Sequence, residues 1–498
     1  MSNLLKSSLI SLAATIVSLL AGFASNIIAA RLLGPAGSGK VAYALWIATA
    51  ASAVADMGLP QTLLRNAGAL SGAGDGWKAL VRAALRAFAM SVSMVGAAIL
   101  AYAAMIYAYR DARHAWFWVI IALLFLSYAV SAFSTAVARG RNRFGQTAVS
   151  TAIGGALQVP LVLVGAWTLG PTGALFGYVA RYLPQALRLR HYVGRDVSVS
   201  SAALTPEMIS YGRYMWLSDL IEILVLSRVE FLFLGFFFSA TGIGYFAAGL
   251  GLAGLIEQVM LQISPALIVS FSDAHAKGDH VALQAAYSRV IRMVALVMLP
   301  ISFGGAAIMP DLLPLIFGDA FEPAIPAAAT LLAFVWIAGL SVIPWGMIGA
   351  AGRSGLLLRV QIVCGVLTIV LLSAMVPLAG LEGAAASRAA ITSLTFTLLA
   401  LTAWKKIGVA TPVAALAKNV LAAALCAGAA GIAIYFLDGP PAIIIAIPAG
   451  AAAYAIAVRL LGLIPANDSR LLMESLGAKL PGPSRPLVSG LLAFLAPS

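Results

Sequence analysis

Apolar runs of about twenty residues, broken by short polar or basic stretches, recur along the whole of this 498-residue chain. A run of that length at ~1.5 Å per residue matches the ~30 Å hydrocarbon core of a bilayer. The pattern predicts fourteen membrane spans, at 10–30, 41–59, 83–106, 115–137, 147–168, 172–187, 214–238, 242–265, 290–309, 325–350, 356–376, 379–403, 414–436 and 442–463. The expected fold class is therefore all-α, a polytopic integral membrane protein. The opening MSNLLKSSLISLAATIVSLLAGFASNIIAAR has the basic-then-apolar layout of a signal peptide, but its apolar part is too long for one, so it is read as span 1, uncleaved.

Lysine and arginine positions set the orientation. With the N-terminus inside, the inner segments hold 24 of the 31 basic residues, the outer loops four (Arg31, Lys40, Arg110, Arg113) and the spans three (Arg181, Arg228, Arg388). Both termini are expected on the cytoplasmic side, and every outer loop is short. The longest inner loop, 188–213, contains LTPEMISYGRYM, where Thr205 as N-cap and Pro206 at the first helical position announce a helix. An amphipathic helix on the inner surface is expected there.

Two patterns repeat. Gly37, Gly39 and Pro60 are matched by Gly242, Gly244 and Pro265 at an offset of 205, and Gly170, Gly173 and Ala174 by Gly380, Gly383 and Ala384 at 210. The order and near-constant offset predict a duplicated six-helix bundle. The domain reading is 1–187 as an N-terminal bundle, 188–213 as a cytoplasmic loop, 214–403 as a C-terminal bundle, 404–463 as two further spans and 464–498 as a cytoplasmic tail. Halves inserted in the same orientation are related by an axis along the membrane normal, and transporters built this way bind substrate between them.

Charge enters the picture in span 7. The stretch DLIEILVLSRVEFLFLGFFFS, 219–239, is apolar enough to cross a membrane yet holds Asp219, Glu222, Arg228 and Glu230. Each charge at a bilayer centre costs roughly 2.5–3.5 kcal/mol, so all four must face protein or water. On a regular helix at ~100° per residue, the three acids share one stripe and Arg228 lies opposite. Span 1 carries a similar polar stripe of Ser11, Thr15, Ser18, Gly22, Ser25 and Asn26; span 8 adds Glu257, Gln258 and Gln262, and Asp56 lies late in span 2. Two readings stay open: these residues line a hydrated cavity, or they are helix-to-helix ties and packing seams.

Composition excludes several classes. The chain is 62% hydrophobic and 10% charged, against about 25% charged in soluble domains. The net charge of +13 lies in inter-span loops rather than on one face, so no nucleic-acid partner is expected. Cys364 and Cys426 sit within apolar runs, and the four histidines show no ligand spacing, so no metal or cofactor is expected. GPAGSGK (34–40) fits GxxxxGK but is followed by Val41 instead of the magnesium-binding Ser or Thr, and GLGLAG (249–254) lies inside a span; both are read as packing features. No enzyme active site is expected.

Several motifs, in order along the chain, resemble one family. They are ARLLGPAGSGKVAYAL (30–45), DMGLPQTLLR (56–65), SRVEFLFLGFFFSATGIGYFAAG (227–249), LPLIFGDAFEPA (313–324) and PLAGLEGAAAS (377–387). The chain resembles, over residues 1 to about 465, the bacterial polysaccharide transporters. These are O-antigen-type flippases of the multidrug/oligosaccharidyl-lipid/polysaccharide exporter superfamily. Glu230 stands where that family more often has Asp. The arginine pattern of the lipid II flippase branch does not map onto this chain.

The resemblance implies translocation of undecaprenyl-diphosphate-linked oligosaccharide across the bacterial inner membrane for O-antigen, capsule or exopolysaccharide, by alternating access of two bundles. It implies membrane lipids as surroundings and a polysaccharide polymerase and its assembly machinery as partners. A diphosphate head group needs positive charge, for which Arg228, Arg31, Arg65, Arg181 and Arg388 are the candidates. Carboxylates at the cavity, Asp219, Glu222, Glu230, Asp56 and Glu257, could take up H+ or Na+ and couple an ion gradient to the movement. The alternatives are a cation-coupled multidrug exporter of the same superfamily, or a membrane polysaccharide polymerase or ligase.

Overall fold

The computed structural model describes residues 2–70, 74–109, 112–193, 204–261, 271, 279–437 and 439–465. Among them there is no strand. In chain order the α-helices are α1 (Ser2–Asp56), α2 (Leu59–Leu70), α3 (Gly74–Tyr109), α4 (Ala112–Gly140), α5 (Phe144–Leu187), α6 (Leu189–Val193) and α7 (Pro206–Ile221). A π-helical turn, Glu222–Ser227, leads into α8 (Glu230–Leu261). Beyond it lie α9 (His280–Ala307), α10 (Met309–Phe317), a 3-10 turn (Asp319–Ala324), α11 (Ile325–Ala350), α12 (Ser354–Ile407), α13 (Val413–Phe436) and α14 (Pro440–Leu460).

Among the described residues nine helices are long and apolar enough to cross a membrane. Three of them, at 43, 50 and 54 residues, are about twice the ~20 residues that one crossing needs. Each is broken once, at Gly34 (φ 64°), Gly170 (φ 63°) and Gly380 (φ 57°), where only the missing Cβ makes left-handed backbone cheap. In α8 the same role falls to Ser239 (φ 64°). The breaks fold these helices back on themselves. A Cβ on Gly154 would strike the Arg181 carbonyl, Gly165 and Gly173 meet each other's carbonyl groups, and Gly383 meets that of Met375. Thr395 donates to Cys364 Sγ across the α12 hairpin.

The breaks at Gly34, Gly170 and Ser239 each lie between two expected spans, Gly380 lies just inside the start of the expected span 379–403, and the breaks repeat as the sequence landmarks do. Ser239 follows Gly34 by 205 residues, and Gly380 follows Gly170 by 210.

The chain divides into two compact units between Ala247 and Ala248. The first is organised around α1, α3, α4 and α5, whose buried side chains include Leu124, Phe125, Phe133, Leu175 and Tyr178. Phe88 and Phe133 stack there at 4.5 Å. Residues 214–247, the start of the expected second bundle, group with this first unit. In the second unit α11 and α12 pack together, as do α13 and α14, and α9 packs on α11 and α13. Apolar side chains also cover the outer faces, among them Met94, Val164, Leu378 and Ile444, as a lipid-facing helix requires.

Candidate functional site

The charged stretch 219–239 is not one regular helix. Thr205 accepts from the Met208 amide as N-cap, with Pro206 behind it, so the expected helix start is present. That helix runs on without a stop as α7, so the segment expected to be an amphipathic surface helix and the first part of span 7 are one element. The π turn 222–227 comes next, and Arg228 then leaves helical geometry at φ −151°, ψ 27°. Extra residues per turn and a break rotate α8 out of phase with α7, so the single acidic stripe expected from a regular period does not exist. Asp219 is half-buried on α7, Glu222 is exposed, Arg228 is exposed at the break, and Glu230 is buried at the start of α8.

Asp56 ends α1, and the next two residues are both left-handed, Met57 at φ 51° and Gly58 at φ 71°. The Gly58 amide donates to Asp56 Oδ1 at 2.8 Å, the side-chain-closed turn that Asp favours. A Cβ on Gly58 would collide with the Gly212 carbonyl of α7, so this turn is also where α7 docks. Trp216 Nε1 donates to Ala53 O at 2.8 Å, satisfying one of the last carbonyls of α1. The Arg65 guanidinium lies 4.1 Å from the Tyr211 ring centroid, and Gln61 donates to Asp219 Oδ2. Asp56 and Asp219 are thereby brought close enough for their charges to act on each other.

A second polar group lies around Arg181. Its Nη1 donates to Gln158 Oε1 at 2.8 Å and its Nη2 to Ser18 Oγ at 2.7 Å. Gly22 supplies the room, because a Cβ there would stand 2.9 Å from Nη1. Among the described residues no carboxylate partners Arg181, and its hydrogen-bond acceptors are neutral oxygens. Tyr178 donates to Asn26 Oδ1 at 2.7 Å. Tyr178 and Tyr182 both lie within the field of Arg181 and of Arg228, so the two cations share one neighbourhood in the first unit. The span 1 stripe is divided among different contacts. Ser18 and Gly22 face Arg181, buried Ser25 turns back to the Ala21 carbonyl, and Asn26 is exposed.

Of the other expected site residues, Arg31 is exposed just before the Gly34 break, and Arg388 is half-buried in the second unit. Glu257 and Gln258 lie on the part of α8 that belongs to the second unit, Gln258 being exposed. Gln262 lies outside the described residues, as do the Ser11 side chain, Pro265 and most of the tail. Gln158, Tyr178 and Gln61 were not singled out from the sequence. A glutamine amid the apolar residues of span 5 is a signal that would have found Gln158, which the structure buries fully.

The chemistry-like motifs resolve as packing. GPAGSGK forms a helix break and a helix start, with Pro35 just inside it. Within GLGLAG, Gly249 packs against Ala328. Among the described residues no three His, Cys, Asp or Glu side chains could hold a metal ion.

Residues 28–326 match the family model described as polysaccharide biosynthesis protein. A search of the curated proteins finds no match. Among solved structures the fold is similar to the lipid II flippase MurJ in an inward closed conformation, with TM-score 0.72 and 11% identity over 91% of this chain and 98% of that one. It is also similar to an inward-facing multidrug resistance MATE family transporter of the MOP superfamily, with TM-score 0.61 and 16% identity over 82% and 99%. A MOP superfamily transporter from Pyrococcus furiosus, described as having a binding pocket of reverse polarity, gives 0.59 and 14% over 83% and 96%. With the family model spanning more than half of the chain, and with a polytopic helical fold similar to those structures around it, the protein belongs to the polysaccharide biosynthesis protein family.

Proposed function

We propose that this protein is a flippase that carries undecaprenyl-diphosphate-linked oligosaccharide repeat units across the bacterial inner membrane for surface polysaccharide assembly. The observation that carries this reading is Arg181. It sits near the level of the middle of spans 1 and 5, held by the neutral oxygens of Ser18 and Gln158, with Arg228 in the same neighbourhood. Two cations within a membrane bundle, one of them held only by neutral oxygens among the described residues, favour an anionic visitor. A diphosphate supplies that charge, while a cationic drug would be repelled. Arg31, Arg65 and Arg388 are secondary candidates. The polyprenyl chain stays in lipid.

The cation-coupled exporter reading draws on one observation, the carboxylates Asp56 and Asp219 held at the junction of α1, α2 and α7 by the Gly58 amide and by Gln61. These fit a coupling role for H+ or Na+ within the flippase equally well. Depletion of the protein tests the assignment: lipid-linked repeat units should accumulate on the inner leaflet and surface polysaccharide should fall. Normal surface polysaccharide in a clean deletion overturns it.

A further inference from the structure

Tyr128 of α4 and Tyr182 of α5 meet edge to face, with ring centroids 4.9 Å apart at 90°. Such a contact fixes both rings but covers a face of only one of them. Both residues are half-buried, whereas Tyr178, one turn before Tyr182, is buried and its hydroxyl is spent on Asn26 Oδ1. Among the described residues neither the Tyr128 nor the Tyr182 hydroxyl has a hydrogen-bond partner, and neither is fully buried. The pair keeps an aromatic surface and two polar tips for a ligand.

The side of α4 that carries Tyr128 does not face lipid. This helix holds no proline and no left-handed residue, so its angular order holds. At ~100° per residue Tyr128 lies roughly 140° from Leu123 and roughly 160° from Leu126, the exposed leucines of the lipid side. Ala132, Thr135 and Arg139 share the Tyr128 strip to within about 40°, and Ala132 and Arg139 are exposed. Buried Phe125, Ala129 and Phe133 close one flank of that strip, and buried Ser127, Ser131 and Ser134 close the other. A spanning helix exposed along two opposite strips has lipid on one and an opening on the other.

Opposite charges flank the pair. The Arg181 guanidinium lies 5.8 Å from the Tyr182 ring centroid, and the charges of both Arg181 and Asp56 reach Tyr128. Arg181 is held by neutral oxygens, while Asp56 has one oxygen committed to the Gly58 amide. A glycosyl diphosphate has the matching order: negative charge at one end, then a ring with an apolar C–H face and a rim of hydroxyls. An aromatic surface takes the face, and a carboxylate accepts from the rim. A bare anion has no use for the rings, and a cationic drug has none for Arg181.

We infer that Tyr128 and Tyr182 hold the sugar ring next to the diphosphate and set this protein's specificity for that first sugar. The inference rests on the flippase reading above and needs only groups of the first unit. It adds recognition of the glycan, which Arg181 alone does not supply.

The test is calorimetric titration of the purified full-length protein in detergent. The probes are farnesyl diphosphate and four of its glycosyl esters, carrying glucose, galactose, N-acetylglucosamine or N-acetylgalactosamine. At least one ester should bind about fivefold or more tightly than the bare diphosphate. Tyr128→Leu and Tyr182→Leu should each cancel that advantage while the affinity for farnesyl diphosphate stays in place. Tyr128→Phe and Tyr182→Phe, which keep the rings, should retain most of it. Should leucine prevent insertion, Ala132→Trp fills the open strip beside Tyr128 without removing either ring, and it should also cancel the advantage. Leu123→Trp, on the lipid side, should not. No advantage for any ester, or one that survives the leucine and Ala132→Trp variants, overturns the inference. If farnesyl diphosphate still binds and Arg181→Ala weakens it, the diphosphate reading stands without the sugar contact. If no probe binds at all, that reading falls and takes the sugar contact with it.

Discussion

Arg181 donates a 2.7 Å hydrogen bond to the hydroxyl of Ser18, joining the second half of α5 to the first half of α1. A planar guanidinium can hold Ser18 and Gln158 at once and still present further N–H donors. Lysine cannot reproduce that grip. Arg181→Lys should insert at the normal level but lose most export, and Arg181→Ala should lose all of it. Membrane abundance measured beside surface polysaccharide separates the two effects. Export at the parental level in Arg181→Ala removes this residue from the substrate path.

Gln158→Glu places a carboxylate where the neutral acceptor of Arg181 now stands, at 2.8 Å. Hydrogen bonds to a charged partner contribute about 1.5–3 kcal/mol, so thermal stability in detergent should hold or rise. Export should fall at least tenfold, because the internal carboxylate now competes with the substrate's anion. Stability and export rising together would mean that the arginine only ties helices.

Gly58 is constrained twice, by its φ of 71° and by the Gly212 carbonyl pressed against it. Gly58→Ala should destabilise the purified protein by about 1–3 kcal/mol, read as a lowered unfolding midpoint. Gly251→Ala, in open space within α8, should leave the midpoint in place.

Arg228 stands at the break between the π turn and α8, with its guanidinium carbon 5.7 Å from the Phe231 ring centroid. Arg228→Ala should abolish export, and Arg228→Lys should keep part of it, because the positive charge near Tyr178 and Tyr182 survives. Equal loss in both variants, together with failure to insert, would assign Arg228 to the fold instead.

Much of this was legible in the chain. Apolar runs of membrane length announced the all-α fold, because lipid leaves backbone groups no partner outside the helix. The glycine landmarks at offsets of 205 and 210 stand beside helix breaks that recur at the same offsets, and Thr205 with Pro206 announced the start of α7. The motif around Asp56 was recognisable, but its purpose, a double left-handed turn that receives α7, was not.

The charged stretch shows where sequence reasoning stopped. The identities of Asp219, Glu222, Arg228 and Glu230, and the cost of exposing them to lipid, come from composition and transfer energy alone. Their directions do not. Angular arithmetic assumes one constant period, and a π turn inserted by packing changes the phase of every later residue in the span. That Arg181 meets Ser18, or that Gly39 meets Ala240, joins residues 163 and 201 positions apart. Such pairings are fixed by how helices cross. Sequence supplied the small and polar side chains that permit close approach, and only the tertiary structure selected which of them meet.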